Sequence, residues 1–148
     1  MNLPPEGLCV PCTYDYARDG DTIVVVLRTG QTCAVRLIDC WAPERRTKEG
    51  RAAKRFVEEW MDNTAMPLHA WFPLPGTGSD GRVDITDLLK SLTFDRVPGR
   101  LFVGTRDMSE ELVLRGYAYE SREKQDEALA KATKIGRPPK RPPKQSGP

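Results

Sequence analysis

The chain has 148 residues, a formal net charge of +2 and a hydrophobic fraction of 39%. This length suits one domain with a single core, and the composition excludes a wholly disordered chain. No apolar run approaches the roughly 20 residues of a membrane-spanning helix, and the first residues lack the basic and apolar regions of a secretion signal. We therefore expect a cytoplasmic protein with no membrane partner. Nothing in the sequence indicates a large exposed interface, so we expect a monomer.

The first half of the chain predicts three strands and a helix. CTYDYA alternates polar and aromatic residues, TIVVVL is β-branched, and TCAVRLI follows the turn RTGQ. An Asp-Gly turn joins the first two strands. From Thr47 to Met61, apolar residues recur at helical spacing, which predicts an amphipathic helix with a basic outer face. LHAWF is a further short strand.

The second half predicts a loop, strands and helices. Residues 84–92 fit a short helix, and LTFDRV and RLFVG read as two strands around a turn at Pro98 and Gly99. Ser109 is a suitable N-cap for the helix EELVLRG, which Gly116 ends, and a last helix covers 123–134.

This order of elements predicts an α+β protein, a five-stranded OB-fold-type β-barrel with packed α-helices. The barrel domain spans residues 1–136. Residues 137–148 are basic and proline-rich and cannot bury apolar area, so they are expected to form a disordered tail.

The four cysteines raise the question of a metal or redox site. Cys9 and Cys12 have the C-x-x-C spacing of a zinc or redox knuckle, whereas Cys33 and Cys40 are too far apart for a second one. Buried, reduced thiols that pack as small apolar groups are the favoured interpretation.

Arginines and carboxylates at strand ends and turns suit phosphodiester hydrolysis. Residues 19–22 read DGDT, Arg36 and Glu44 flank a proline corner, and Arg100 follows Gly99. Guanidinium groups bind phosphate oxygens and offset the charge that develops at phosphorus. A glutamate can accept a proton from water or orient it, and carboxylates hold divalent cations that help to activate water.

Taken in order, the motifs resemble the staphylococcal nuclease-like (thermonuclease) family over residues 12–136. They are DGDT, VRLIDCWAPE, the helix that begins near GRAA, DRVPGR and EELVLRGYA. The resemblance implies an OB-fold barrel and calcium-dependent hydrolysis of DNA and/or RNA with low sequence specificity. Mg²⁺ or another divalent cation is the alternative to Ca²⁺.

The same resemblance implies roles for individual residues. Arg36 and Arg100 would bind the phosphate, and Glu44 would be the general base or the group that orients water. Arg100 is preferred to Arg82 of SDGRV because GRLFVG resumes a strand that leads into the next helix.

The implied metal site has three members. Asp21 would be a ligand, Asp19 would lie close to the metal, and the backbone carbonyl of Ala42 would be a further ligand.

Trp41 departs from the family pattern, in which this corner usually carries a calcium-ligating aspartate. An indole offers calcium no oxygen ligand. Three alternatives stay open: Asp39 substitutes for the missing carboxylate, water fills the position and metal affinity falls, or the protein binds nucleic acid or a partner protein without catalysis. A glutamate among basic residues repels a phosphate backbone unless a cation intervenes, which favours a working enzyme.

Basic residues next to the corner and in the tail are candidates for nucleic-acid binding. They are Arg45, Arg46, Arg137, Lys140 and Arg141. The tail segment KIGRPPKRPPK resembles an AT-hook, which binds the minor groove of A·T-rich DNA. A solvated tail that adds non-specific electrostatic affinity is the competing interpretation.

Overall fold

The computed structural model describes residues 7–73 and 96–134, so the predicted loop, the helix at 84–92 and the basic tail lie outside the described residues. The described elements are β1 (Leu8–Ala17), β2 (Thr22–Leu27), β3 (Thr32–Leu37), α1 (Lys48–Asn63), β4 (Leu68–Phe72), β5 (Val97–Val103), β6 (Arg106–Asp107), α2 (Met108–Leu114) and α3 (Arg122–Lys134).

Five strands close into a barrel, which confirms the predicted α+β, OB-fold-like architecture. β1 pairs antiparallel with β2 on one side and β4 on the other, β2 pairs with β3, and β4 pairs with β5. The barrel closes where β3 and β5 run parallel, with Val35 opposite Val97 and Leu37 opposite Gly99. The short β6 pairs antiparallel with the end of β5, with Phe102 opposite Asp107.

The barrel interior is filled by β-branched and aliphatic side chains, as the strand patterns predict. Fully buried members include Ile23, Val25, Val35, Phe72 and Leu101. From the helical side, Val57, Met108 and Leu112 join the same core. The helices therefore stabilise the barrel by covering apolar surface that the strands alone leave open.

The amphipathic helix forms as predicted and ends two residues later, at Asn63. Thr47 is its N-cap: the threonine Oγ1 accepts a hydrogen bond from the Gly50 N–H at 2.9 Å. Ala53, Val57 and Met61 are buried on the face toward the barrel. These three residues recur every four positions, about one helical turn, so they share one face of the helix. The basic residues lie on the other face.

The predicted turn at Pro98 and Gly99 is wrong, because β5 runs through both residues. Pro98 lies opposite Arg36 in the parallel pairing with β3, and the Gly99 carbonyl accepts a hydrogen bond from the Ile38 N–H at 2.9 Å. A Cβ on Gly99 would lie 2.9 Å from the Trp71 carbonyl oxygen and 3.1 Å from Val35. Glycine is therefore needed here for the close approach of strands at the barrel seam, not for a turn.

The helix after β6 begins earlier than predicted. Its N-cap is Asp107, whose carboxylate accepts the Ser109 N–H at 3.0 Å, so Ser109 is inside the helix instead of capping it. Gly116 follows the helix with a φ of 82°, which is the left-handed conformation expected after a helix end. No helix in the described part of the chain is long and apolar enough to cross a membrane.

All four cysteines are free thiols. Cys9 and Cys12 lie on β1, opposite Trp71 and Leu68 of β4. Cys33 and Cys40 are buried. Burial raises the pKa of the Cys12 and Cys40 thiols to about 12 and that of Cys33 to about 11. These three thiols therefore stay protonated at neutral pH and pack as apolar groups.

Candidate active site

The turn between β1 and β2 presents two neighbouring carboxylates. The Asp19 Oδ1 accepts hydrogen bonds from the backbone N–H groups of Asp21 at 3.0 Å and Thr22 at 2.8 Å, which fixes the turn. Gly20 packs so closely that a Cβ would lie 2.7 Å from the Ala53 Cβ and 2.9 Å from the Ala42 Cβ. The turn therefore packs closely against α1 on one side and against the proline corner on the other.

Asp21 is buried beside the proline corner. Its Oδ2 accepts the Ala42 N–H at 3.0 Å and lies 3.5 Å from the Arg36 Nη2. The pKa of Asp21 is raised to about 7, mainly by burial and then by the adjacent Asp19 carboxylate, while Arg36 acts in the opposite direction. A single arginine thus does not fully offset the cost of burying the charged form of this group.

Arg36 projects from β3 and is held in place by backbone carbonyls. Its Nη1 donates to the carbonyl oxygens of Leu37 at 2.6 Å and Cys40 at 2.7 Å. Its guanidinium carbon lies 4.7 Å from the centroid of the Trp41 ring, a cation–π arrangement. The guanidinium is therefore fixed by the corner that follows it in the sequence.

Glu44 is exposed, and its backbone is tied to the start of α1. The Glu44 carbonyl accepts both the Thr47 N–H at 2.9 Å and the Thr47 hydroxyl at 2.6 Å. Since the same hydroxyl accepts the Gly50 N–H, the helix cap and the glutamate form one connected unit. The helix start therefore determines where Glu44 stands.

Two adjoining cavities bring these side chains together. The first has a volume of about 490 Å³. It is lined by residues 41–44 of the proline corner, by Asp21 and Arg36, and by part of α3. The second, of about 420 Å³, shares Asp21, Ala42, Pro43 and Glu44 with the first and adds Asp19, Arg45 and Arg46. Four of the predicted catalytic and metal-site residues, together with Ala42, thus surround one continuous cleft.

Arg100 does not line this cleft. Its guanidinium pairs with the carboxylates of Asp39 and Asp107, the latter at 2.8 Å from Nη1. Arg100 and Asp39 border a separate cavity of about 760 Å³ beside α2. The pairing also engages Asp39, which the sequence left open as a substitute metal ligand and which lines neither cavity that contains Asp21 and Glu44.

Arg96, which the sequence analysis did not single out, lines this cleft. It is exposed, precedes β5 directly and lines the first cavity with Arg36 and Glu44. The sequence contains a signal for it, because DRVPGR has an arginine at each end. The resemblance assigned the phosphate-binding role to the second of these arginines, Arg100.

The first cavity has a wall that the sequence did not predict. Tyr119 exchanges two backbone hydrogen bonds with Trp41, at 2.7 and 2.9 Å, and so attaches the segment before α3 to the proline corner. As a result α3 contributes Arg122, Gln125, Ala128 and Leu129 to the cavity. No local sequence pattern predicts the pairing of Trp41 with Tyr119, because the two residues are far apart in sequence.

The oxygen donors near Asp21 suit a hard divalent cation in type but are few. Asp21 and Asp19 are adjacent and Glu44 lines the same cavity, whereas calcium takes 6–8 oxygens. Within residues 7–73 and 96–134 no three His, Cys, Asp or Glu side chains are gathered as a metal site. A cation held here would complete its shell with backbone carbonyls, water or phosphate oxygens.

Comparison with known proteins finds neither a family model that matches the chain nor a curated protein that matches it.

Proposed function

We propose that this protein is a metal-dependent phosphodiesterase, a nuclease that hydrolyses DNA and/or RNA with low sequence specificity. The observation that carries the proposal is the shared cleft, in which Arg36, Glu44, Asp21 and Arg96 line one cavity. Two arginines, one of them anchored by its neighbours, in the same cavity as a carboxylate suit the binding of a phosphodiester next to an activated water. The staphylococcal nuclease-like resemblance of the motifs points to the same chemistry.

In the proposed mechanism, Arg36 and Arg96 bind the phosphate oxygens and offset the charge that develops on them. Arg36 is well prepared for this role because three oxygen acceptors hold its guanidinium. Glu44 orients the attacking water and accepts its proton. Its exposure on the cleft wall leaves room for that water.

Asp21 and Asp19 would hold a divalent cation, for which Ca²⁺ is the first candidate and Mg²⁺ the second. When bound, the cation supplies charge neutralisation at the phosphate and lowers the pKa of nearby water. The raised pKa of Asp21 supports this assignment, because a buried carboxyl with one arginine neighbour leaves negative charge for a cation to balance.

The test is cleavage of plasmid and single-stranded DNA with added calcium, by the wild type and Glu44→Gln. Glu59→Gln, an exposed position on α1 that lines neither cavity, is the matched control. We expect Glu44→Gln to lower the cleavage rate by about a hundredfold or more, because proton transfer by a positioned side chain contributes about that much. A chelator should abolish cleavage, and Glu59→Gln should behave as the wild type. Equal rates for wild type and Glu44→Gln would overturn the proposal.

One observation favours a second candidate, an inactive nuclease-like module that binds nucleic acid or a partner protein. Trp41 stands where the family pattern has a ligand carboxylate, and it stacks on the guanidinium of Arg36. This candidate gives binding without cleavage and an affinity that does not depend on a cation or on Glu44.

A further inference from the structure

Trp41 is a large aromatic side chain left at the surface. It is 37% exposed although one ring face is covered by the Arg36 guanidinium. Among the exposed large apolar side chains of residues 7–73 and 96–134, which are Tyr16, Trp41, Met66 and Leu114, Trp41 is the one that lines the first cavity. Core packing therefore does not account for the open part of its ring.

The ring is held before any ligand arrives. The Trp41 backbone is bonded on both its N–H and its carbonyl to Tyr119, and the guanidinium beneath the ring is anchored by two carbonyls. A rigid aromatic group loses little conformational entropy on binding, which makes it a favourable contact for a flat ligand.

The space beside the ring fits a nucleotide. The cavity of about 490 Å³ is within the range of ordinary ligand sites, and Pro43, Ala128 and Leu129 give it apolar walls. Three arginines and three acidic residues also line it, namely Arg36, Arg96, Arg122, Asp21, Glu44 and Glu49. Arg36 is paired with Asp21, and Arg96 and Arg122 add two further cations to this cavity for the backbone of a bound strand.

We propose that Trp41 is the stacking platform for one unpaired base and that the substrate is single-stranded nucleic acid. The inference rests on the nucleic-acid part of the proposed function. Base–aromatic stacking needs an open π-face on both partners, and a base within a duplex is already stacked and paired. A base lying on Trp41 places its own phosphate next to Arg36 and Glu44. Trp41 thus supplies a substrate contact at the position where the family pattern usually has a carboxylate.

The test is binding of a short single-stranded oligonucleotide of mixed sequence and of its duplex, measured by fluorescence anisotropy in the presence of a chelator. We expect the wild type to prefer the single strand. Trp41→Ala should weaken single-strand binding by about tenfold and abolish the preference, in line with the usual effect of removing a stacking side chain. Trp41→Phe, which keeps an aromatic ring, should retain most of the affinity.

A second readout separates stacking from an indirect effect on Arg36. The chain has three tryptophans. In Trp60→Phe protein the emission comes from Trp41 and the buried Trp71, so a stacked base should quench the exposed component. Trp60 contacts Phe56 on α1 and does not line the cavity, so Trp60→Phe should bind as the wild type does.

The outcomes distinguish this inference from the proposed function. Unchanged single-strand affinity in Trp41→Ala, an unquenched Trp41, equal affinity for duplex, or no binding to either oligonucleotide would each overturn the stacking role. Trp41-dependent binding without calcium-dependent cleavage would support the stacking role and overturn the nuclease. Cleavage that does not depend on Trp41 would do the reverse.

Discussion

Arg96 and Arg100 lie four residues apart in the sequence but in different surroundings. Arg96 is exposed in the cleft, whereas the Arg100 side chain is 18% exposed and pairs with Asp39 and Asp107. One residue is placed to meet a ligand and the other to hold the proline corner against the start of α2.

This difference predicts separable effects of two alanine substitutions. Arg96→Ala should lower single-strand affinity and cleavage by about tenfold while the free energy of unfolding changes by no more than about 0.5 kcal/mol, as for other surface positions. Arg100→Ala should lower the free energy of unfolding by about 2 kcal/mol, because it leaves the buried Asp107 carboxylate without its cation. Urea unfolding and the cleavage assay measure the two quantities.

The reverse pattern would restore the role that the sequence gave to Arg100. If Arg100→Ala lost cleavage at unchanged stability and Arg96→Ala did not, the assignment of Arg96 to the cleft chemistry would be wrong. Arg100→Lys serves as the control, since it keeps the charge but loses the forked geometry that reaches two carboxylates.

Residue by residue, the sequence predicted the composition of the cleft where the positions are close along the chain. DGDT and the proline corner each hold their residues through local turns and caps, so Asp19, Asp21, Arg36 and Glu44 come together around the β2–β3 hairpin and the corner that follows it. Tyr119 and the α3 wall escaped prediction because their position depends on a backbone pairing between distant segments.

At the scale of the element, the N-terminus of α1 is linked to the cleft residue Glu44 through Thr47. The Thr47 hydroxyl donates to the Glu44 carbonyl and accepts the Gly50 N–H, and Thr47 is buried. Losing this hydroxyl removes the helix cap and releases the segment that carries Glu44.

We therefore expect Thr47→Ala to lower the free energy of unfolding by about 1 kcal/mol, the usual cost of removing an N-cap. Cleavage at saturating DNA should fall severalfold in the folded variant, because Glu44 is less well placed. Thermal unfolding and steady-state rates, measured at a temperature where both proteins are folded, separate the two effects.

Thr47→Ser is the matched control, since a serine keeps the hydroxyl that caps the helix. It should restore both stability and rate to near the wild-type values. A Thr47→Ala protein that is destabilised but fully active would show that the cap supports the helix and not the glutamate.

Elements were predicted well where periodicity is strong and poorly where a single residue type decided the boundary. TIVVVL, LHAWF and the amphipathic helix formed as expected. Ser109 was mistaken for a cap because Asp107, two residues earlier, caps equally well and also pairs with Arg100. Pro98 and Gly99 were mistaken for a turn because their close approach to β3 and β4 is a tertiary contact.

At the scale of the whole molecule, the barrel core shields some cysteines from solvent and leaves others accessible. Cys33 and Cys40 are fully buried, and burial raises the pKa of each thiol well above its usual value. Cys9 is partly exposed at the start of β1, and burial raises the pKa of its thiol as well.

At pH 8 we expect iodoacetamide to modify Cys9 first in the native protein. Cys33 and Cys40 should react only as the barrel unfolds, because the thiolate is the reactive form and both are inaccessible. Mass spectrometry of native and urea-unfolded samples counts the modified thiols. Modification of Cys40 in the native protein at the rate of Cys9 would contradict the closed barrel around it.

The β3–β5 pairing predicts that the complete cleft forms late in folding. Arg36 lies on β3, and Arg96 lies next to the first paired residue of β5, so the seam that closes the barrel brings both arginines to the first cavity. Contacts between segments so far apart in the chain are slow to form, because the intervening loop loses entropy first. An early hairpin intermediate would carry Asp21 and Arg36 but not Arg96. Recovery of oligonucleotide affinity during refolding should therefore lag behind the recovery of β-sheet signal in circular dichroism.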